Sequence, residues 1–285
     1  MLIELPIKAN CDTISNYHVS LFDTAYSMNK HICYEHPLNE RIRMFLRLDH
    51  LFRQFDYAAN SHTTWESRLA LISLFDLLEL ISRNELKAEI TKELERQGKI
   101  FKRFQDSPGI DNNALSTALD EISQVSKKIQ QFSSLTLDSY RQQDFLSAVR
   151  QRSNIPGGTC AFDLPELHYW LQHAGEAQRS NDLKMWLEPV RPLQEGINLI
   201  LRLIRGSSVP RTQTASAGQY QKSLDAGATP VQLLRIMIPI EQPIFPEVSG
   251  NHHRFAIRFL HQLDHRKKAG LYPENIEFYL ACCAL

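Results

Sequence analysis

RQRSNIPGGTCAFDLPELHYW, residues 150–170, is where the chain changes character. Before it, apolar residues recur every three or four positions, the spacing of a helix face. After the Pro156-Gly157-Gly158 break, apolar and polar residues alternate, the period of a strand. The two glycines are read as a turn with φ > 0 between helix and sheet. On that reading TCAFDL and ELHYWLQ are strands separated by Pro165, and the fold is α+β.

Upstream of the break the helical reading is direct. ICYEH (32–36) is rich in strand formers and stops at Pro37. Asn39 is then a candidate N-cap, with Glu40 in the first turn, where the helix dipole favours negative charge. In that helix Phe45, Leu48, Leu51, Phe52 and Phe55 form a broad apolar face, and Arg43, Arg47, His50 and Gln54 form a polar stripe opposite. Thr63 and Glu66 have capping-box spacing and open a helix that is apolar nearly all round, expected to be the most buried of a bundle. Asn84 caps a third helix, Pro108-Gly109 marks a turn, and Leu115, Leu119, Ile122, Val125 and Ile129 give a fourth its face. A shorter helix over 137–150 carries Arg141 near its start.

Downstream, helix returns over 176–205 with a break at Pro189 and Pro192, and 206–230 reads as a long polar loop. QLLRIMIPI, HRFAIRFLHQL and IEFYLACCAL are strand-like. The expected organisation is an antiparallel helical bundle domain (38–152 and 175–206) plus a mostly antiparallel β domain (30–37, 153–174 and 207–285). Residues 1–27 are expected to be a poorly ordered extension.

Composition narrows the function. The 285 residues are 43% hydrophobic and 22% charged, with 32 basic and 32 acidic side chains. A net charge of +0 gives no bulk attraction to nucleic acid or anionic lipid, so any such affinity must come from local clustering. Five cysteines, with no Cys-x-x-Cys, fit a reduced, cytoplasmic protein. Cys282 and Cys283 are read as a strand end with one thiol inward. No run of eighteen apolar residues suggests a membrane span, and residues 1–27 lack the basic start and apolar block of an export signal.

The catalytic motifs fail on spacing. Gly157-Gly158 follows a helix and precedes a strand, the reverse of a phosphate cradle. The adjacent His252 and His253 are expected to point apart in a turn, and no paired histidines with a carboxylate suggest a metal site. Cys160 and His168 lie eight apart with nothing to fix their contact. No catalytic residue, cofactor site or metal site is expected.

What remains is arginine. Arg43 and Arg47 share a helix stripe, Arg83 ends a helix, Arg150 and Arg152 precede the break, and Arg254 and Arg258 share a strand face. Any one of these is more often a surface ion pair. Several same-side groups in a chain of zero net charge favour a groove for a partner with carboxylates, which the planar guanidinium fork recognises well.

YEHPLNERIRMFLRL (34–48), VRQRSNIPGGTCAFDLPELHYWL (149–171), SGNHHRFAIRFL (249–260) and FYLACC (278–283) resemble the ZapD family of bacterial cell-division proteins, over nearly the whole chain. The resemblance implies a non-enzymatic, dimeric, cytoplasmic protein at the mid-cell septum. It would bind the carboxyl-terminal tail of the tubulin-like GTPase FtsZ and cross-link FtsZ filaments. The family's basic tail-binding positions match Arg43, Arg47, Arg83, Arg141, His168, Arg254 and Arg258. Arg150, Arg152 and Trp170 complete the expected surface, and Asp144 stands where a related sequence has arginine. Neither nucleic acid nor membrane insertion is implied; the alternative is an α+β module that binds nucleic acid through the same arginines.

Overall fold

The computed structural model describes residues 30–83, 85–104, 111–133, 137, 138, 140, 142–225, 227 and 229–285, with the side chain of Arg83 excepted. The extension over 1–27, the cap at Asn84, the turn at 108–109 and Arg141 lie outside the described residues. Two compact units emerge. One gathers the described parts of Phe45–Glu95 and Ile122–Leu199; the other gathers those of Met1–Met44, Arg96–Glu121 and Ile200–Leu285.

The first unit is helical. It takes in most of α1 (Glu40–Ala59), α2 (Thr64–Arg83), much of α3 (Leu86–Arg103) and α4 (Asn112–Gln131), then α5 (Asp144–Ser153), α6 (Pro165–His173) and α7 (Glu176–Leu187). A 3-10 turn at Glu188–Val190 leads into α8 (Arg191–Gly206), placing the break in the 176–205 helix at the expected prolines. Of the apolar positions read from α1, Phe45, Leu48, Phe52 and Phe55 have 1% exposure or less, and Leu51 is half-buried. Burying each such side chain contributes about 1.5–3 kcal/mol. Gly196 on α8 allows close approach, since a Cβ there would lie 2.8 Å from Ile90 and 3.2 Å from Ile129.

TCAFDL (159–164) and ELHYWLQ (166–172), both expected as strands, are not: 159–164 is turn and Pro165–His173 forms α6, so the glycine turn joins two helices rather than a helix and a sheet. Leu164, Leu167 and Leu171 are all buried, and their spacing of three and four is a helix face. Pro165 sits in the first turn, where its missing N–H removes no helical hydrogen bond. The alternation in ELHYWLQ was too short to outweigh that spacing.

The second unit is built around a β-sandwich and also holds the remaining parts of α3, α4 and α8. One antiparallel sheet has the order β1-β4-β8-β2 (His31–Pro37, Leu233–Pro239, Ile276–Cys283, Arg211–Ala215). The other has the order β3-β6-β5 (Gln219–Ser223, Arg254–His261, Ile244–Gly250), with β7 (Gly270–Leu271) also paired to β6. The register sets Tyr34 against Ile236, Met237 against Tyr279 and Gln213 against Phe278. Leu234, Ile236, Phe255, Ile257, Phe259, Phe278 and Leu280 fill the core.

The expected loop over 206–230 contains β2 and β3, whose alternation is masked by Thr, Gln and Ser. The chain passes from one sheet to the other at Ala217-Gly218, both with positive φ. A Cβ on Gly218 would collide with the Tyr272 carbonyl. In the central strands of the first sheet, β4 and β8, every residue but Glu277 is buried or half-buried. Glu35 turns away from the sandwich core and accepts from Arg205 Nε (2.9 Å) and Arg205 Nη2 (2.8 Å). Arg235 Nε lies 3.2 Å from the same carboxylate, as an ion pair without hydrogen-bond alignment.

Candidate functional site

The predicted recognition residues fall into three local groups. The first is built by α5 and α6, which pack together on either side of the Gly157-Gly158 turn. Gly157 has φ +74°, as the turn requires, and a Cβ on Gly158 would lie 2.5 Å from the Arg152 carbonyl. This compact connection brings α5, with Arg150 and Arg152, beside α6, with His168 and Trp170. Phe145 of α5, Trp170 of α6 and Trp186 of α7 form a half-buried trio with ring centres 5.5–5.8 Å apart. Trp170 Nε1–H donates to Asp182 Oδ2 at 2.8 Å, which fixes the indole, and Gln178 donates to the other oxygen at 2.7 Å. His168 is exposed, half-buried Arg150 has no ion-pair partner among the described residues, and Arg152 lies 3.7 Å from Asp163.

The second group lies on α1. Arg43 is half-buried and pairs with Glu40 at 3.1 Å. Burial first, and then the Arg43 charge, hold the His36 imidazole below its ordinary pKa. Arg47 is exposed and lines a groove of about 500 Å³ with Leu46, His50 and Leu51 of α1 and Asp76, Glu79 and Leu80 of α2. The groove is of mixed charge. Arg83 ends α2.

The third group is on β6, where Arg254 and Arg258 are exposed on one face as their spacing of four requires. Arg258 faces Glu247 across the ladder at 3.1 Å, a pair more than half exposed and worth well under 1 kcal/mol. Arg254, like Arg47, has no ion-pair partner among the described residues.

Sequence reading missed two features. Arg179 is 8% exposed and donates to the Ser67 hydroxyl and to the carbonyls of Leu171, Ala174 and His62 at 2.6–3.5 Å. Its partners lie up to 117 positions away, so no local pattern marks it. The second is the outer stripe of α2, which leaves Trp65 78% and Ile72 47% exposed on the helix expected to be the most buried of the bundle. An apolar sequence cannot distinguish a side buried in its own chain from one left for a partner.

Among the described residues no three His, Cys, Asp or Glu side chains group to hold a metal, and no helix is long and apolar enough to cross a membrane. Cys160 Sγ lies 3.4 Å from Asp163. Cys282 and Cys283 turn to opposite faces of β8, and burial pushes the Cys283 thiol up to about 12.

A family model described as ZapD, a cell division protein, matches residues 46–258. The chain is 41% identical over 258 residues to the cell division protein ZapD of Methylococcus capsulatus, covering 90% of this chain and all of that protein. It is 40% identical to the ZapD of an Azoarcus species, over 80% of this chain and 90% of the relative. It is 38% identical to that of Photobacterium profundum, over 88% and 98%. Residue spacing, α+β architecture and these likenesses agree, and the chain belongs to the ZapD family of cell division proteins.

Proposed function

We infer that this protein binds the carboxyl-terminal tail of FtsZ and, as a dimer, cross-links FtsZ filaments beneath the division septum in the cytoplasm. The observation that carries the reading is the α5–α6 module. It gathers Arg150, Arg152, His168 and a hydrogen-bonded, half-exposed Trp170 onto two packed helices, although in sequence they flank a glycine turn. Guanidinium groups with few carboxylate partners attract an acidic tail, and the aromatic trio offers a flat apolar seat for one of its side chains. Arg43, Arg47, Arg83, Arg141, Arg254 and Arg258 are further candidate contacts for the tail in this reading.

A disordered tail loses conformational freedom on docking, so each contact is weak. Two tail sites per dimer hold two filaments, and repeated sites along a filament raise the effective concentration. No catalytic step is required of the protein.

Co-sedimentation with FtsZ polymer tests the reading. The wild-type chain pellets with filaments and bundles them, and FtsZ lacking its last dozen or so residues (about the length of one short docking peptide) leaves it in the supernatant. Arg152→Glu combined with His168→Glu weakens binding at least about tenfold, equivalent to about 1.4 kcal/mol, without loss of fold. Equal pelleting of wild type and that variant overturns the assignment of the site. A shift of DNA or RNA at moderate salt, with no pelleting on FtsZ, favours the nucleic-acid alternative instead.

A further inference from the structure

The side of α2 that points away from its own core has an ordered composition. Trp65, Arg68, Ile72, Asp76 and Glu79 follow one line along the helix, at offsets of −7, −4, 0, +4 and +7 from Ile72. Trp65, Ile72 and Asp76 are exposed, and Arg68 and Glu79 are half-buried. The opposite side, with Leu71, Leu74, Leu77, Leu78 and Ile81, is in the core. The amino-terminal half of the line ends in donors, an indole N–H and a guanidinium. The carboxyl-terminal half ends in carboxylates.

The donor half is held in place. The Arg68 guanidinium lies over the Trp65 ring at 5.6 Å and gives one N–H to the Thr159 carbonyl at 2.9 Å. That bond ties the helix to the 154–163 turn, on which Ile155 (49%) and Phe162 (87%) are also exposed. In the acceptor half Asp76 has no ion pair among the described residues. Burial, and then the neighbouring charge of Glu79, push its carboxyl above the ordinary range, and Arg47 and His50 on the far wall of the groove do not pair with it. The line thus holds exposed apolar surface and a carboxylate lacking a cation, both of which a partner could cover.

The geometry points to a second copy of this chain as that partner, docked with the two α2 helices antiparallel about a two-fold axis at Ile72. A two-fold contact must be self-complementary, so the residue at offset −k meets the residue at +k of the other copy. Ile72 then meets Ile72, Arg68 meets Asp76, and the Trp65 indole meets Glu79. Every donor falls against a carboxylate, and the central apolar contact is excluded from water. A parallel arrangement would set Asp76 and Glu79 against themselves. Charge complementarity of the line with its own reversal therefore favours this occupant over an acidic peptide, which Asp76 and Glu79 would repel.

This proposal rests on the cross-linking reading and supplies its dimer contact. Sedimentation velocity on the full chain reads it directly. Wild type runs at the mass of two chains at micromolar concentration. Arg68→Asp and Asp76→Arg each weaken association at least tenfold, and the combined R68D/D76R chain, which restores opposite charges across the axis, recovers it. Ile72→Cys gives a disulfide-linked dimer on mild oxidation, above the level that the native cysteines give in wild type. Circular dichroism confirms that each variant is folded.

A two-chain mass in both single variants, with no added cross-link in Ile72→Cys, overturns this surface while leaving the cross-linking reading in place. A single-chain mass for wild type at all concentrations overturns both. An R68D chain that keeps the two-chain mass but loses FtsZ binding assigns the face to the tail and also overturns the proposal.

Discussion

Arg179 has a buried guanidinium whose hydrogen bonds run to three carbonyl oxygens and one hydroxyl. Two of those carbonyls, Leu171 and Ala174, belong to the last turn and cap of α6, where unsatisfied oxygens collect and a cation is favoured. His62 and Ser67 lie before and within the first turn of α2, so one side chain joins three elements. Arg179→Ala leaves buried acceptors without donors and costs about 3 kcal/mol, read as a lower urea midpoint. Arg179→Lys recovers only part, because an ammonium cannot span the same fork. The predicted recognition arginines differ in kind. Arg47, Arg150 and Arg254 remain without ion pairs among the described residues, and only the fold reveals the difference.

The caps on α1 and α2 are features of elements, and they were legible in the sequence. Ile42 N–H donates to Asn39 Oδ1 at 2.9 Å. Thr63 and Glu66 complete a reciprocal box, with Glu66 N–H to Thr63 Oγ1 at 3.2 Å and Thr63 N–H to Glu66 Oε2 at 3.1 Å. The Thr63 side-chain and backbone hydrogen bonds hold the Glu66 carboxyl below its unfolded value of 4.5. A depressed carboxylate stabilises the fold above the unfolded pKa, and the contribution is lost as pH falls through the folded one. Glu66→Gln is therefore less stable than wild type at neutral pH, and the gap closes in denaturation curves taken below pH 4.5.

The edge strand β5 shows the same local logic in a sheet. Phe259 N–H donates to the Gly218 carbonyl and its own carbonyl accepts from Tyr272, so its register partner Pro246 turns its backbone outward. A proline on that free edge removes a donor that another strand could use. Pro246→Val increases aggregation in light scattering at elevated concentration, with little change in the unfolding midpoint.

At the scale of the molecule, equal numbers of basic and acidic residues leave no bulk charge to drive association. On the proposed reading, attraction to an acidic partner comes from local groups, and salt screens it. The Debye length falls from about 10 Å at 0.1 M to about 3 Å at 1 M. Co-sedimentation with FtsZ declines across that range while the thermal midpoint, set mainly by apolar burial, does not fall in parallel.

The sequence alone determined the α+β class, most of the core face of α1, the N-caps of α1 and α2 and the family, because each depends on the period or spacing of neighbouring residues. It misread α6, where nine residues support a strand and a helix pattern about equally until Leu167 and Leu171, with Leu164 just before them, are buried. Tertiary structure decided which arginines are consumed internally, which aromatic rings surround Trp170, and that an apolar helix keeps one side exposed. The physical reason is that backbone pattern is a local property, whereas burial and ion pairing depend on partners brought in from remote positions in the chain.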